Sequence, residues 1–260
     1  MTTTAFHFTG FSNQPNSAQP AYKFQRGGNQ FLAVSGTLTD RLLVTFRAPA
    51  TKLAPLVPAP LELDTYGGFG FLSVCAVEIA GMGIAGTPRW LRWQNRELLY
   101  RLSVRVAGEP SFITLRSDVS SPVLALLGRY FSHFRPHLAQ VGLERRDDTL
   151  RFEGRTRDGV GDAEVEVDLR APVPRSSVFP SDDEAARFLL GMERACDVVH
   201  GRVRVQRIEH GRWQPRLVAT KTARFRFVDE LAHRLAARFE LDSTLAVRDV
   251  PHVWKSAKWL

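Results

Sequence analysis

Apolar and polar residues alternate with a period of two along several stretches of this chain, and that pattern predicts strands. Over Arg41–Arg47 it sets Leu42, Val44 and Phe46 against Arg41, Leu43, Thr45 and Arg47. Over Glu97–Val106 it sets Glu97, Leu99, Arg101, Ser103 and Arg105 on one face, and Leu98, Tyr100, Leu102, Val104 and Val106 on the other. Phe69–Ala80 is a nearly continuous apolar run broken by Ser73 and Glu78. Further strands are predicted at Gln30–Gly36 and Phe112–Leu115, and a hairpin joins Leu143–Arg157 to Ala163–Leu169 around Asp158-Gly159-Val160-Gly161. Gly201–His210 and Arg216–Phe227 read as two long strands around Gly211–Pro215.

Helical signals are few and short. Ala50–Val57 reads as a turn of helix ended by Pro58, and Pro122–Phe131 as a helix leading into the polar aromatic corner Ser132–His137. Ser181 is placed to cap a helix whose first turn is Asp182, Asp183 and Glu184, running through Met192. Asp229–Arg238 reads as one more short helix, and the glycine-rich Gly81–Gly86 as a flexible connection able to move over a pocket. Nine to eleven strands with no strand–helix–strand alternation predict an α+β domain of mainly antiparallel β, open to closure into a barrel. Residues 1–30, rich in Thr, Ser, Asn, Gln and Gly, read as an irregular arm whose Phe6, Phe8, Phe11 and Phe24 can dock on the body. Residues 31–260 show no repeat and no linker, and read as one domain.

Charge adds little to this picture. The formal net charge of +8 rests on 30 arginines and five lysines spread along the chain, with no dense basic run, so nucleic-acid binding is not expected. No apolar stretch reaches the ~20 residues that span a bilayer, and no charged-then-apolar leader opens the chain, so a cytoplasmic protein is expected. Cys75 and Cys196 lie in apolar runs and read as buried reduced thiols. No Cys/His spacing suggests zinc.

The order of elements resembles the acetoacetate-decarboxylase-like superfamily, nearest its uncharacterised YqjF-like branch. Arg41–Phe46 followed by Leu56-Val57-Pro58-Ala59-Pro60-Leu61-Glu62-Leu63 resembles the decarboxylase opening, an arginine-led strand, a short helix and "V-P-x-P-L". Asp64-Thr65-Tyr66-Gly67-Gly68 resembles "L-D-x-Y-x-G", and Glu97–Arg101 resembles "E-L-N-V-R". Phe188-Leu189, and Ile208-Glu209-His210 leading to Trp213, are similar to that branch's later helix and its "I-x-H-x-x-W". The resemblance implies a closed or cone-like barrel around a small-molecule cavity. In the decarboxylases a lysine there, kept neutral by burial and a neighbouring cation, forms a Schiff base with a β-keto acid. The corresponding segment here, Arg135-Pro136-His137-Leu138-Ala139, holds no lysine, and Arg116 and Leu99 stand where the branch has aspartate and asparagine.

The candidate site residues carry two readings each. Arg41 offers a planar fork to a ligand carboxylate, or is a surface arginine. Glu97 and Arg101 share a strand face about 13 Å apart at ~3.3 Å per residue, as a cavity wall or a solvated face. His133 and His137 flank the corner where the family lysine would be, as acid/base groups near neutral pH or as structural histidines. Pro136 between them argues against a shared helix and a metal. Glu78 is a cavity carboxylate or a rim residue. Lys221 shares a face with Leu217, Ala219, Ala223, Phe225 and Phe227, and either reaches solvent or is a buried amine. The expectation is a protein that binds a small carboxylate or oxo acid without a cofactor, as a monomer or homo-oligomer. If it catalyses, acid/base lyase or hydratase chemistry through Glu97 or His137 is expected. The alternative is a structural or interaction protein with a packed barrel and a basic surface.

Overall fold

The computed structural model describes residues 32–131, 134–173, 177–191, 193–212 and 214–260. The N-terminal arm, His133 and Trp213 lie outside them. Strand β1 (Val34–Pro49) leads through a short helix α1 (Ala50–Leu53) and a 3-10 turn to β2 (Glu62–Leu63), β3 (Thr65–Tyr66) and β4 (Phe69–Ile84). Then come β5 (Trp93–Val106), β6 (Glu109–Val119) and helix α2 (Pro122–Phe131). The strands β7 (His137–Arg146), β8 (Thr149–Thr156) and β9 (Ala163–Asp168) form a meander, before helix α3 (Asp182–Leu190). The rest is β10 (Arg194–Val199), β11 (Arg202–His210), β12 (Arg216–Leu217), β13 (Ala219–Phe225), α4 (Arg226–Arg234), β14 (Glu240–Trp254) and β15 (Lys258–Trp259).

All these strands join one sheet whose main path is β13-β9-β8-β7-β6-β10-β11-β14-β1-β4-β5-β2. Because β5 also pairs with β6, seven strands (β6, β10, β11, β14, β1, β4, β5) close into a ring. The pairing is antiparallel except where β6 meets β10 and β7, which run parallel to it. The closed, mainly antiparallel architecture is the predicted one.

The ring wall separates two apolar clusters, which explains its composition. From β1, β4 and β5, the side chains of Leu42, Val44, Val74, Ala76, Leu98, Tyr100 and Leu102 pack outward. They meet Val141, Leu150, Phe152, Val165 and Val167 of the meander, and Phe227, Val228 and Leu231 of α4. The intervening Leu38, Leu43, Cys75, Val77 and Ile79 point the other way, into a second cluster with Leu124 of α2 and Ala185 and Leu189 of α3. A strand buried on both faces loses its alternation and reads as a continuous apolar run, as β4 does. Each large side chain buried this fully contributes about 1.5–3 kcal/mol.

Several readings of the sequence change. The segment Arg216–Phe227 is not one strand: β12 pairs with β14, β13 pairs with β9, and α4 begins at Arg226 rather than Asp229. The described part of the strand expected at Gln30–Gly36 and the strand expected at Arg41–Arg47 are one strand, β1, from Val34. The glycine-rich Gly81–Gly86 is not a loose connection: β4 continues through it to Ile84, with a register shift between Ile79 and Met82. The long segment Leu143–Arg157 contains its own hairpin, turning at Asp147, which takes φ 48°. Glu240–Trp254, to which the sequence pattern assigned no element, is β14, which pairs with β1 along almost its whole length. Helix α3 is capped as predicted, with Ser181 Oγ accepting a hydrogen bond from the Glu184 amide at 3.2 Å.

Candidate functional site

The ring encloses a cavity of about 120 Å³, and each of its seven strands lines it. Arg41 comes from β1, Cys75 from β4, Glu97 and Arg101 from β5, and Phe112 from β6. Ala195 of β10, Gln206 and His210 of β11, and His252 and Trp254 of β14 complete the wall. Leu124 of α2, with Phe134 and Pro136 of the corner that follows it, also lines the cavity. Period two places Glu97 and Arg101 inward while Leu98 and Tyr100 feed the outer core, so the polar face of β5 is the inner face.

Burial governs the chemistry of the polar lining. Glu97 is 8% exposed, and its Oε1 accepts a hydrogen bond from Ser117 Oγ at 2.7 Å. Desolvation raises its pKa to about 7, against the opposing hydrogen bond from Ser117, with the nearby Asp118 charge adding to the rise. Arg101 is 5% exposed and donates from Nη2 to the Leu189 carbonyl at 3.0 Å, with its guanidinium 5.0 Å from the Phe112 ring centroid. Its Nε is buried with no hydrogen-bond partner among the described residues. Burial, and then the neighbouring Arg41 charge, lower the Arg101 pKa to about 9. Arg41 donates from Nε to Cys75 Sγ at 3.1 Å.

A pair of histidines forms another part of the wall. The His210 and His252 rings lie 5.4 Å apart, and His252 lies at the same separation from Trp254. Burial lowers the His252 pKa to about 3, although its Nδ1 bonds the Val250 carbonyl, and the charges of Arg41 and His210 push the same way as burial. His210 Nε2 reaches Glu193 Oε1 at 3.2 Å.

The structure therefore brings together Arg41, Glu97 and Arg101 and leaves Glu78 and His137 out of the cavity lining, while His133 lies outside the described residues. Glu78 stands on the opposite face of β4 from Cys75 and Val77, outside the cavity. It accepts hydrogen bonds there from Arg96 Nε at 2.8 Å, Gln94 Nε2 at 2.7 Å and Thr39 Oγ1 at 2.9 Å. His137 begins β7, where its Nδ1 meets the Ser117 carbonyl at 3.2 Å and Asp118 Oδ1 at 3.7 Å. It is the preceding Pro136 that lines the cavity. Arg116 also lies outside, forked onto Asp118 and Asp158. Lys221 is turned out of the apolar face by a bulge between Thr220 and Thr222 and pairs with Asp168 at 3.3 Å. Among the described residues no lysine lines the cavity, and no cluster of three or more His, Cys, Asp or Glu is placed to hold a metal.

Gln206, His210 and His252 are functional candidates that the sequence reading did not assign to the site. His210 stood in a quoted motif. His252 lay in a segment with no strand assignment, and only the pairing of β14 with β1 and β11 brings it to the wall.

Solved structures of acetoacetate-decarboxylase-like proteins superpose on the chain, and the fold is of that type. One is the enduracididine biosynthesis enzyme MppR complexed with the condensation product of pyruvate and imidazole 4-carboxaldehyde. It has a TM-score of 0.60 and 14% identity, over 94% of this chain and 98% of that one. An acetoacetate decarboxylase-like enzyme from Sphingomonas wittichii RW1 gives 0.59 and 13%, over 96% and 99%. The acetoacetate decarboxylase of Legionella pneumophila gives 0.52 and 11%, over 97% and 98%. At these identities the likeness is one of fold. Residues 35–249 match the family model DUF2071, described as an uncharacterized conserved protein, and the chain belongs to that family. No curated protein matches the sequence. Among the described residues no helix is long and apolar enough to cross a membrane.

Proposed function

We propose that the cavity binds a small carboxylate, with oxo acids as the favoured class, between Arg41 and Arg101 on one side and Glu97 on the other. The observation that carries this reading is the burial of two neighbouring guanidiniums in one enclosed space. Removing a cation from water is costly, and an anion that enters the cavity offsets that cost for both arginines at once. The unpartnered Nε of Arg101 is a donor that a ligand oxygen satisfies. MppR, which shares the fold, has been solved with pyruvate, a ligand of this class.

Glu97 supplies the acid/base chemistry of this reading. A carboxyl with a pKa near 7 is present in both protonation states at neutral pH, the condition under which one group both gives and takes a proton. Proton transfer at a carbon or oxygen beside the bound carboxylate, as in a lyase or hydratase, is the reaction type that fits. Schiff-base decarboxylation does not fit a lining that, among the described residues, contains no lysine. A protein with a packed ring, the competing reading, has no use for a cavity of about 120 Å³ with two arginines on its wall.

A thermal-shift series tests the proposal. Pyruvate, acetoacetate, 2-oxobutyrate and acetate are compared with acetone and acetamide, on the wild type and on Arg41→Met and Arg101→Met. Carboxylates raise the melting temperature, by the equivalent of about 2.7 kcal/mol at a hundredfold excess over Kd. The neutral analogues do not, and either substitution removes the effect. Equal shifts from neutral and anionic compounds, or none from any carboxylate, would overturn the reading.

A further inference from the structure

We infer that Cys75 is a nucleophile of the cavity, reacting through Sγ with small carbon electrophiles that carry a carboxylate. The inference rests on the carboxylate reading above and extends it to a covalent step. Cys75 lies on the inner face of β4, on the same cavity wall as Arg41 and Arg101. Arg41 Nε–H points at the sulfur from 3.1 Å. Arg101 keeps a buried Nε on this wall with no hydrogen-bond partner among the described residues. A cysteine attacks as thiolate, and reactive cysteines sit beside cationic side chains where the substrate can reach them.

The geometry also separates the two cysteines. Cys196 Sγ lies 3.4 Å from the Phe112 carbonyl in the wall of the ring, away from the cavity lining, and burial pushes its thiol pKa up. A carboxylate held by the arginines brings the adjacent carbon toward Cys75. With an oxo acid the step is reversible addition. The S–C bond forms, the carbonyl π pair moves to oxygen, and the thiol proton ends on that oxygen with Glu97 as carrier. The product is a thiohemiketal, and no oxidant or reductant is needed.

Paired alkylating reagents test this. With an ordinary thiol the neutral iodoacetamide is the faster reagent and iodoacetate the slower. Each displaces iodide, forms one S–C bond and releases the thiol proton to solvent. For the native protein, intact-mass and peptide analysis is expected to show iodoacetate modifying Cys75 at least tenfold faster than iodoacetamide, with Cys196 untouched. Pyruvate protects, Arg101→Met abolishes the preference for the anionic reagent, and Cys75→Ser abolishes the labelling. If iodoacetamide is faster, or Cys75 stays unmodified while carboxylates still raise the melting temperature, the covalent inference is overturned and the carboxylate site stands. An unmodified Cys75 together with no carboxylate-induced shift overturns both.

Discussion

Ser117 Oγ lies 2.7 Å from Oε1 of Glu97, with the serine 1% exposed and the glutamate 8%. The hydroxyl belongs to β6 and the carboxyl to β5, paired strands of the ring. Desolvation drives Glu97 toward its neutral form, and this bond is the opposing influence that keeps its ionised form within reach of neutral pH. Replacing Ser117 with Ala removes it, so the Glu97 midpoint moves up from about 7. A carbon-13 NMR titration of the glutamate side chains reads the shift directly. A midpoint unchanged in Ser117→Ala would show that the hydroxyl does not hold the charge.

Glu97 also predicts a pH dependence of stability. Its pKa rises from 4.5 in the unfolded chain to about 7 in the fold, so between those values the native state holds more protons than the unfolded state. Stability from this group is full below pH 4.5 and is lost as pH rises through 7, by about 3 kcal/mol in all. Glu97→Gln imitates the protonated form at every pH. Urea unfolding at pH 5 and pH 8.5 is expected to show the variant gaining on the wild type at the higher pH.

His252 acts in the opposite direction. Its pKa falls from 6.5 to about 3 on folding, so the unfolded state holds more protons between those values. Its contribution is present above pH 6.5 and is lost as pH falls toward 3, on the order of 5 kcal/mol in total. His252→Gln, which cannot be protonated, is expected to flatten the acid limb of the stability profile. An acid limb identical to that of the wild type would show that other groups set it.

The Arg116 fork supports the site from behind. Arg116 Nε lies 2.8 Å from Asp118 Oδ2, with side-chain exposures of 6% and 0%. Arg116→Met leaves the Asp118 carboxylate buried without its strongest partner and is expected to cost 3–5 kcal/mol, measured by urea unfolding; about this much is typical of a broken buried pair. Adding Asp118→Leu recovers part of the loss, because the uncompensated charge is then gone. Gly161→Ala is predicted to damage the same cluster, since a Cβ there meets Asp118 Oδ2, the Arg116 guanidinium and the Thr156 methyl.

The architecture was legible wherever strands alternate and helices are capped. Helix α2 matches its predicted span, α3 starts at its capping Ser181, and the alternation of β5 separates Glu97 and Arg101 from the outer core. Alternation assigns residues to faces but does not say which face is interior, and only closure of the ring decides that. Strand β14 was hidden because the sequence sets Asp249 and Pro251 within it, two residue types that argue against a strand. Pairing along β1 overrides them. Lys221 was assigned a face by strict period two, and a single bulge reverses it. Cys75 read only as a buried thiol, since sequence spacing cannot show that Arg41, 34 residues away, reaches its sulfur.

The pairing of β1 with β14 also has a temporal consequence. Arg47 and Glu240 are partners 193 residues apart, so the chain emerging from the ribosome carries β1 and β4 long before the strand that completes them. Until then one edge of β1 stands open, in a hairpin with apolar residues on both faces, and that is the species exposed to wrong pairing. His252 and Trp254 arrive with β14, so a chain stopped before β14 lacks that part of the cavity wall. Closure of the cavity wall therefore waits for β14, and long-range pairing rather than local helix formation sets its rate.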